Sequence, residues 1–551
     1  MKRLWHDGAI ADYYDRGYWS SHTIYERFLE RANEHPDKEA LVDRHRRVTY
    51  GALRDEVERC AAVLRRHGVQ AGDVVTVQVP NQIEFATVML ALELVGAIAN
   101  NVSTDYRSNE LEYILNFSKS AVHVCAASFR GHDFLRMMAK LRGWVPSLRL
   151  IVSVGGEELI AESTSDDVVN ALDDVVFLKQ ELKAVAPLSP AEWTRPHPDD
   201  VMRLAFTSGT TGDPKGVMHS HNTTLFPVLT MNRGMQIDAR STQMIFMPVT
   251  LNTGYLGLLQ TLVAGARGVL VDHFSVEDAL GTIERERISA FSTPPAALVM
   301  MLEAPDLDRY DLSSLRVIKS GGAPASLELL RQIQHKLSAR LVESYGMLET
   351  GFHCHTRVED DPLDGVGTVG RPVEGMRLSI RSAEGREVAA GEEGELYAAG
   401  PGVHLGYIDN AAANEASFTT NGWFYTGDLG RLDANGRLVI SGRKKEIINR
   451  AGKKYFPREI EEILLTHPKI LDVAIVGLPD SRTGEKNCAC VIPRDGTALT
   501  LGEIVRFLED RVARYKLPEQ LVIRASFPRT STGKVKRPVL VEEIMVDGAQ
   551  S

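Results

Sequence analysis

From about residue 70 to residue 350, the sequence alternates short apolar, β-branched runs with longer amphipathic windows. Val201–Phe206, Gln243–Val249 and Leu315–Lys319 are examples of the short runs. Windows of about 10–20 residues between such runs indicate helical crossovers between mainly parallel strands. One sheet rarely holds so many strands, and we therefore predict two sheets. A chain of 551 residues is also too long for one hydrophobic core, and it indicates two to four domains of about 150 residues each.

The sequence changes in character after Asp361, where glycine and glutamate become frequent. Runs such as Gly394–Ala399 alternate apolar with polar residues, and Asp433-Ala434-Asn435-Gly436 separates two strand-like runs. Because Asn-Gly is a strong hairpin signal, we predict a small antiparallel β unit over about residues 362–441. A further α/β pattern of about 110 residues begins at Gly442, and this is long enough for a separate domain.

The predicted fold class is therefore α/β. Residues 1–441 would form a large N-terminal body of mainly parallel α/β sheets with the small β unit, and residues 442–551 a small mobile α+β domain. The charged stretch Gly442-Arg-Lys-Lys-Glu446 has no apolar face, so we expect a hinge between the two domains at this point.

The segment Thr207-Ser-Gly-Thr-Thr-Gly-Asp-Pro-Lys-Gly216 is the sharpest chemical signal in the chain. Its glycines, hydroxyl groups and one lysine make a loop of donors, which suits the oxygens of a polyphosphate. It is not a Walker A loop, because Pro214 stands where that motif has the glycine before its lysine. A solvated linker is the alternative, but a lone lysine between proline and glycine is unusual in linkers. We expect a strand before this loop and a helix after it.

Charge and cysteine content exclude several functional classes. The 63 Lys and Arg residues against 73 Asp and Glu residues give a net charge of −10, which argues against a surface that binds nucleic acid throughout. Five cysteines cannot form a disulfide framework, and no apolar segment reaches the roughly 20 residues that a bilayer requires. We expect a cytoplasmic protein without a membrane span, and the sequence is compatible with a homodimer.

Further motifs follow the loop in a fixed order, and they make a family recognisable. They are Ser320-Gly-Gly-Ala-Pro324, Tyr345-Gly-Met-Leu-Glu349, Tyr425-Thr-Gly-Asp428, Gly442-Arg-Lys-Lys-Glu446 and Gly533-Lys534. Together with the loop they resemble the adenylate-forming superfamily, which includes acyl-CoA synthetases, carrier-loading adenylation domains and beetle-type luciferases. The resemblance spans about residues 45–540. It implies that a carboxylate attacks the α-phosphorus of ATP, that pyrophosphate leaves, and that a thiol then attacks the acyl-adenylate.

The resemblance also implies a set of ATP-binding residues. Lys534 would bridge the α-phosphate and the acyl carboxylate, Glu349 would bind Mg²⁺, and Asp428 with Arg443 would hold the ribose. The residues expected around the phosphates and the adenine are Thr207, Ser208, Gly209, Thr210, Thr211, Gly212 and Lys215, with Gly322, Ala323, Pro324, Tyr345 and Gly346. Read alone, Tyr345 would be a core aromatic residue and Lys534 a surface lysine, and only the shared order of the motifs favours these roles.

Lys445 matches the family's hinge, where the C-terminal domain would turn between adenylation and thiol transfer. By the same resemblance, Gly452 would let a pantetheine arm pass close to the backbone. Lys444 and Arg450 would meet the phosphates of CoA, and a solvated charged face is the equally weighted alternative.

Two departures from the family pattern concern the substrate side. Leu348 replaces a threonine whose hydroxyl normally faces the phosphate, a loss of about 1 kcal/mol that we expect the enzyme to tolerate. Leu251 stands where relatives often have histidine or an aromatic residue, next to the acyl site that would also include Asn252 and Gly321. An apolar Leu251 favours an apolar acid, whereas Asn252 would recognise an aryl hydroxyl group or would be an ordinary polar loop residue.

The sequence therefore predicts an ATP-dependent acid–CoA ligase for a medium-chain, alicyclic or aromatic acid, with Mg²⁺ as cofactor and ATP and CoA as co-substrates. An aryl-acid adenylating enzyme that loads a separate carrier protein is the alternative, and Asn252 and Leu348 favour it slightly. A luciferase-type oxygenase is a more distant third. A catalytically silent nucleotide-binding protein is the hypothesis from another class, and the presence of both Lys534 and Glu349 argues against it.

Overall fold

The computed structural model describes residues 7–156, 175–207, 214–321, 327–362, 366–450, 453–480, 482–494, 497–530 and 533–549. Contacts divide the chain into two compact units. The described residues of the first unit run up to Thr207, from 214 to Arg377 and over Ala399–Phe424, and the second unit contains Leu378–Ala398 and the residues from Tyr425 onward. The predicted domain boundary at residue 442 is a different division of the chain and stays a prediction.

The first unit contains two sheets, as the alternation of short runs predicts. In the larger sheet, Val317–Gly321 lies between Ala290–Thr293 and Arg340–Met347, and all three strands are parallel. Their carboxyl ends therefore meet at one edge of the sheet, where open α/β sheets bind ligands. The order of strands in this sheet is Arg371–Pro372, Gly351–His355, Arg340–Met347, Val317–Gly321, Ala290–Thr293, Thr242–Ile245, Arg267–Leu270, Glu39–Val42 and Arg47–Thr49.

The second sheet of this unit corrects one expectation. The segment after the predicted phosphate loop is a buried strand, Gly216–Ser220, which pairs antiparallel with Val201–Phe206; the helix His221–Met235 begins only after it. The loop therefore joins two antiparallel strands, a pairing that apolar periodicity alone does not distinguish from a helix start. The order of strands in this sheet is Gly216–Ser220, Val201–Phe206, Ile98–Asn101, Val74–Gln78, Val122–Cys125, Leu150–Ser153 and Val175–Phe177, and Ser128–Phe129 pairs with His132–Asp133 elsewhere.

Helices with little polar surface fill the core of the first unit. Ile83–Val95 and Asn252–Ala264 are apolar on nearly all sides, so they are buried in the cluster that also takes residues from both sheets. Each ends at a glycine in the left-handed conformation, Gly96 at φ 72° and Gly265 at φ 68°. The other α-helices described in this unit are Asp7–Asp15, Ile24–Glu34, Tyr50–Arg66, Ser108–Ser118, Phe134–Leu141, Leu178–Ala184, His221–Met235, Val276–Glu286, Pro295–Leu302, Leu327–Gln332 and Ala411–Ser417.

The second unit contains a small β sheet and a mixed α/β sheet. Phe424–Leu432 and Leu438–Arg443 form a hairpin whose turn contains Gly436 at φ 72°, which confirms the turn predicted at Asn435-Gly436. The small sheet has the order Arg377–Arg381, Gly394–Ala399, Phe424–Leu432 and Leu438–Arg443. The mixed sheet has the order Lys453–Tyr455, Ile448–Arg450, Gly484–Pro493 and Ile470–Asp480, with Gln520–Ile523 paired to Gly484–Pro493. The helices are Pro457–Leu464, Leu501–Leu508 and Arg537–Ala549. Over all the described ranges, no helix is long and apolar enough to cross a membrane.

Candidate active site

The two ends of the predicted phosphate loop are hydrogen-bonded to each other. The backbone N–H of Thr207 donates to the carbonyl oxygen of Lys215 at 3.0 Å, and the N–H of Lys215 donates to the Thr207 hydroxyl at 3.1 Å. These bonds hold Lys215 where the strand Gly216–Ser220 begins, with its ammonium 5.0 Å from the centre of the Tyr407 ring. The other residues predicted for this loop, Ser208, Gly209, Thr210, Thr211 and Gly212, lie outside the described residues.

Tyr407 connects the loop lysine with the predicted metal-binding carboxylate. Its hydroxyl donates a hydrogen bond of 3.1 Å to Oε1 of Glu349, whose side chain is only 7% exposed. Burial raises the pKa of Tyr407, and the nearby Glu349 carboxylate raises it further, so the phenol keeps its proton. The backbone N–H of His404 holds the Glu349 carbonyl at 2.7 Å. The structure therefore brings together Lys215 and Glu349, which the sequence predicts, through Tyr407, which lies in none of the recognised motifs.

The donor set around Glu349 suits a hard cation. No group of three or more His, Cys, Asp or Glu side chains placed to hold a metal occurs in the described part of the chain. A single fixed carboxylate suits Mg²⁺, because this ion usually keeps waters and substrate phosphate oxygens as its other ligands. The residues present therefore fit the Mg²⁺ that the resemblance implies.

The turn before Glu349 is held by a buried histidine. Nε2 of His219 lies 2.7 Å from the carbonyl oxygen of Leu348, and Nδ1 lies 3.1 Å from the hydroxyl of Thr223. Burial, with Arg203 and His404 adding to it, holds the pKa of His219 well below its usual range. The ring is therefore neutral, and because a carbonyl only accepts, its Nε2–H donates to Leu348. The backbone at Leu348 is thus fixed although its side chain offers no hydroxyl.

Tyr345 lies on the last part of the strand Arg340–Met347, half-buried, with its ring edge-on to His353 at a centroid distance of 4.8 Å. Gly346 follows it, and a Cβ there would lie 2.0 Å from the carbonyl oxygen of Gly351, so this crossing requires glycine. The same holds at Gly321, where a Cβ would lie 2.9 Å from the Ser344 carbonyl oxygen. The predicted adenine-flanking residues Gly322, Ala323 and Pro324 lie outside the described residues.

On the predicted acyl side, Leu251 and Asn252 begin the helix Asn252–Ala264, and both are partly buried. Oδ1 of Asn252 accepts a hydrogen bond of 2.7 Å from Arg203, whose guanidinium lies 4.5 Å from the centre of the Tyr255 ring. Arg203 is 2% exposed, and burial lowers its pKa to about 10. The Asn252 amide is therefore fixed in orientation by a buried cation rather than free in a loop.

The second unit holds the predicted ribose and CoA residues. Asp428 and Arg443 are opposite each other in the hairpin, with Nε of Arg443 3.2 Å from Oδ1 of the buried Asp428. Lys444 is ion-paired with Glu395, and Arg450 is 2.6 Å from Glu519. Lys445 and Lys534 are exposed, the latter in a turn where its N–H donates to the Thr530 hydroxyl. The predicted Gly452 lies outside the described residues.

Sequence reasoning missed four buried residues of the first unit. The sequence could have indicated Arg203 and Lys319, because each is a charged residue within a largely apolar strand-like run. Tyr407 and His219 carry no such signal, since nothing in the linear pattern shows that they contact the segment at Leu348 and Glu349.

Two protein-family models match this chain. The family model for the AMP-binding enzyme matches residues 28–408, and the model for the AMP-binding enzyme C-terminal domain matches residues 459–534. The medium-chain fatty-acid–CoA ligase of Escherichia coli (strain K12) is 32% identical over 540 residues, which cover 97% of this chain and 93% of that protein. The 2,3-dihydroxybenzoate–AMP ligase of Bacillus subtilis (strain 168) is 31% identical over 544 residues, or 98% of this chain and 97% of that protein.

The fold also matches a solved structure. The crystal structure of the anthranilate CoA ligase AuaEII in complex with anthranoyl-AMP superposes with a TM-score of 0.85 at 24% identity, covering 96% of this chain and 98% of that one. The family models together account for most of the sequence, and both curated relatives align with nearly its whole length. The chain therefore belongs to the AMP-binding enzyme family.

Proposed function

We propose that this protein is an ATP-dependent acid–CoA ligase, which activates a carboxylic acid as its acyl-adenylate and then transfers the acyl group to CoA. The observation that carries the proposal is the arrangement of Lys215, Tyr407 and Glu349, which sets a cation and a buried carboxylate at the base of the phosphate loop. Membership of the AMP-binding enzyme family and the alignment with a medium-chain fatty-acid–CoA ligase over nearly the whole chain support it.

In the first step, an oxygen of the acid attacks the α-phosphorus of ATP, and the bond from this phosphorus to pyrophosphate breaks. Negative charge grows on the phosphate oxygens, so cations and donors placed in advance lower the barrier. Lys215 would supply positive charge to the phosphates, and Glu349 would hold Mg²⁺, which when bound neutralises further phosphate charge. Tyr407 would keep the Glu349 carboxylate in position through its hydrogen bond.

The ribose and the reacting carboxylate would be bound by residues of the second unit. Asp428 would accept hydrogen bonds from both ribose hydroxyls, and Arg443, 3.2 Å away, would keep that carboxylate oriented. Lys534 would bridge the α-phosphate and the carboxylate during adenylation. Thiol transfer would follow rotation about Lys445, in which the CoA thiol attacks the acyl carbon and AMP leaves.

We propose an acid with an apolar body, of medium-chain, alicyclic or aromatic type, because Leu251 offers no polar group at the predicted acyl site. Asn252, fixed by Arg203, supports the second candidate, an aryl-acid adenylating enzyme that loads a carrier protein. The alignment with a 2,3-dihydroxybenzoate–AMP ligase supports the same candidate. A homodimer and a cytoplasmic location stay predictions.

The test is acid-dependent exchange of labelled pyrophosphate into ATP, measured over a panel of fatty, alicyclic and aryl acids. We expect exchange with at least one class, a strong loss in Glu349→Gln, and wild-type rates in a control, Lys179→Met, which removes an exposed lysine. Supplying CoA or a phosphopantetheinylated carrier protein in a second reaction then separates the two candidates by the thioester formed. An enzyme that exchanges with no acid of the panel would refute the proposal.

A further inference from the structure

Lys319 is a buried lysine in the middle of the larger sheet. It lies on the strand Val317–Gly321, two residues before its carboxyl end, with Ser292 and Val342 beside it on the neighbouring strands. Its side chain is 3% exposed, and its ammonium lies 3.5 Å from the centre of the Phe352 ring. Val317 and Val342, on the same face of the sheet, belong to the main core cluster.

The amine of Lys319 has no carboxylate to neutralise it. Within the described ranges, it makes no hydrogen bond and no ion pair, and its contact with the Phe352 ring is the interaction that remains. Burial lowers the pKa of Lys319 to about 7, and no neighbouring charge contributes to this shift. Such a position is costly for the folded protein, because a charge removed from water without a partner is one of the most destabilising features of a core.

A buried histidine nearby also has a polar atom without a partner. Burial lowers the pKa of His355, and the charges of Arg357 and Lys319 lower it further, while its Nδ1–H donates to the carbonyl oxygen of Thr356 at 2.8 Å. Its Nε2 has no hydrogen-bond partner among the described residues. Buried polar atoms are nearly always satisfied in native proteins, so an amine and an imidazole nitrogen without hydrogen-bond partners on one face of the sheet indicate a missing ligand.

The position of Lys319 in the sheet indicates where this ligand would bind. The carboxyl ends of the parallel strands are where such sheets bind ligands, and Gly321, two residues further along, is the predicted acyl-site glycine. An apolar acid alone would leave the amine as unsatisfied as before. An acid with an oxygen at its far end would give the amine a hydrogen-bond partner.

We propose that Lys319 is a specificity-determining residue, which selects acids that carry a second oxygen acceptor, a carboxylate first and a carbonyl oxygen second, at the end remote from the reacting carboxylate. This inference rests on the proposed function, since it names the substrate class of the same site. It narrows the aliphatic and aromatic candidates to ω-carboxy and ω-oxo acids.

The test compares matched acids in the pyrophosphate exchange assay: adipate against hexanoate, and terephthalate and para-acetylbenzoate against para-toluate. The wild-type enzyme is expected to prefer the acceptor-bearing member of each pair in kcat/KM. Lys319→Met keeps the side-chain length without the amine. In this variant, the ratio of kcat/KM between the two members of each pair is expected to fall on the order of 10²-fold, because a buried donor rejects partners that cannot accept from it. The change should lie in KM for the acid, with KM for ATP unchanged, and the exposed-lysine control Lys179→Met should behave as wild type.

Two results would overturn the inference while leaving the proposed function intact. One is a wild-type enzyme that activates both members of each pair equally well. The other is a Lys319→Met variant, folded by its melting temperature, that loses activity on both members by the same factor, since that would be a structural effect. Lys319→Gln, which keeps a donor, should retain part of the preference. Exchange with no acid at all would refute the proposed function itself, and the inference with it.

Discussion

Lys319→Met is expected to stabilise the first unit, most strongly at low pH. The pKa of Lys319 falls from 10.5 to about 7 on burial, which corresponds to about 5 kcal/mol of unfavourable folding free energy below pH 7. Methionine fills a similar volume but loses the cation–π contact with Phe352, a loss of about 2 kcal/mol for a desolvated pair. The net expectation is a gain of about 3 kcal/mol at about pH 6.

The pH dependence has a definite sign. Between about pH 7 and pH 10.5, the unfolded chain still binds a proton on this amine, whereas the folded chain has released it. The stability of the wild-type protein therefore rises with pH across this window, by up to about 1.4 kcal/mol per pH unit. Lys319→Met lacks this rise, so the difference in the free energy of unfolding between the variant and the wild-type protein should shrink steadily towards pH 10.5.

Urea unfolding followed by tryptophan fluorescence measures this difference. Trp19, Trp144, Trp193 and Trp423 all belong to the first unit, and the sequence has no tryptophan after Trp423, so the signal reports on the unit that contains Lys319. A variant that is less stable than wild type at about pH 6, or whose gain is the same at about pH 6 and pH 9.5, would refute the reasoning, because an unpaired buried amine requires both effects. Lys179→Met, at an exposed position, should show neither effect.

Three further substitutions test the proposed site. Lys534→Ala should lower adenylation on the order of 10²–10³-fold in pyrophosphate exchange. It should spare thiol transfer from preformed acyl-adenylate, and equal loss in both half-reactions would contradict its assigned role. Tyr407→Phe removes the hydrogen bond to the Glu349 carboxylate, a contact of about 1.5–3 kcal/mol. We expect about a tenfold lower kcat with a higher Mg²⁺ requirement, and an unchanged Mg²⁺ titration would contradict the contact's role. Arg203→Met should release the Asn252 amide and change KM for the acid but not for ATP, which exchange kinetics would show; an unchanged ratio between salicylate and benzoate would count against it.

The architecture of the chain was predictable because local physics determines it. Apolar runs such as Val201–Phe206 became strands at the predicted residues, and the Asn435-Gly436 turn closes the expected hairpin. The strand Gly216–Ser220 was not predicted, since its mixture of apolar, histidine and serine residues has no clear period of two. Its pairing with Val201–Phe206 is a tertiary contact, and such contacts decide short elements more often than propensity does.

The candidate site was predictable only in part. Motif order brought Lys215 and Glu349 into one hypothesis, and the structure places both beside Tyr407, which no motif contains. The contacts of His219 with Leu348, and of Arg203 with Asn252, join residues far apart in the chain. One sequence contains no information on such distances, so these positioning residues emerge only from the fold.

Among the described residues of the first unit, two buried cations differ in whether the protein itself supplies a hydrogen-bond partner. Arg203 and Lys319 both interrupt apolar strands, and both rest on an aromatic ring, of Tyr255 and Phe352. Arg203 donates to Asn252, so part of its charge is satisfied within the protein, whereas Lys319 donates to no residue in the described ranges. Replacing an unpaired buried cation by an apolar side chain is often neutral or stabilising, so the fold itself does not require the amine of Lys319. A ligand that accepts a hydrogen bond from this amine would supply the partner that the described residues do not, which is the role proposed for Lys319.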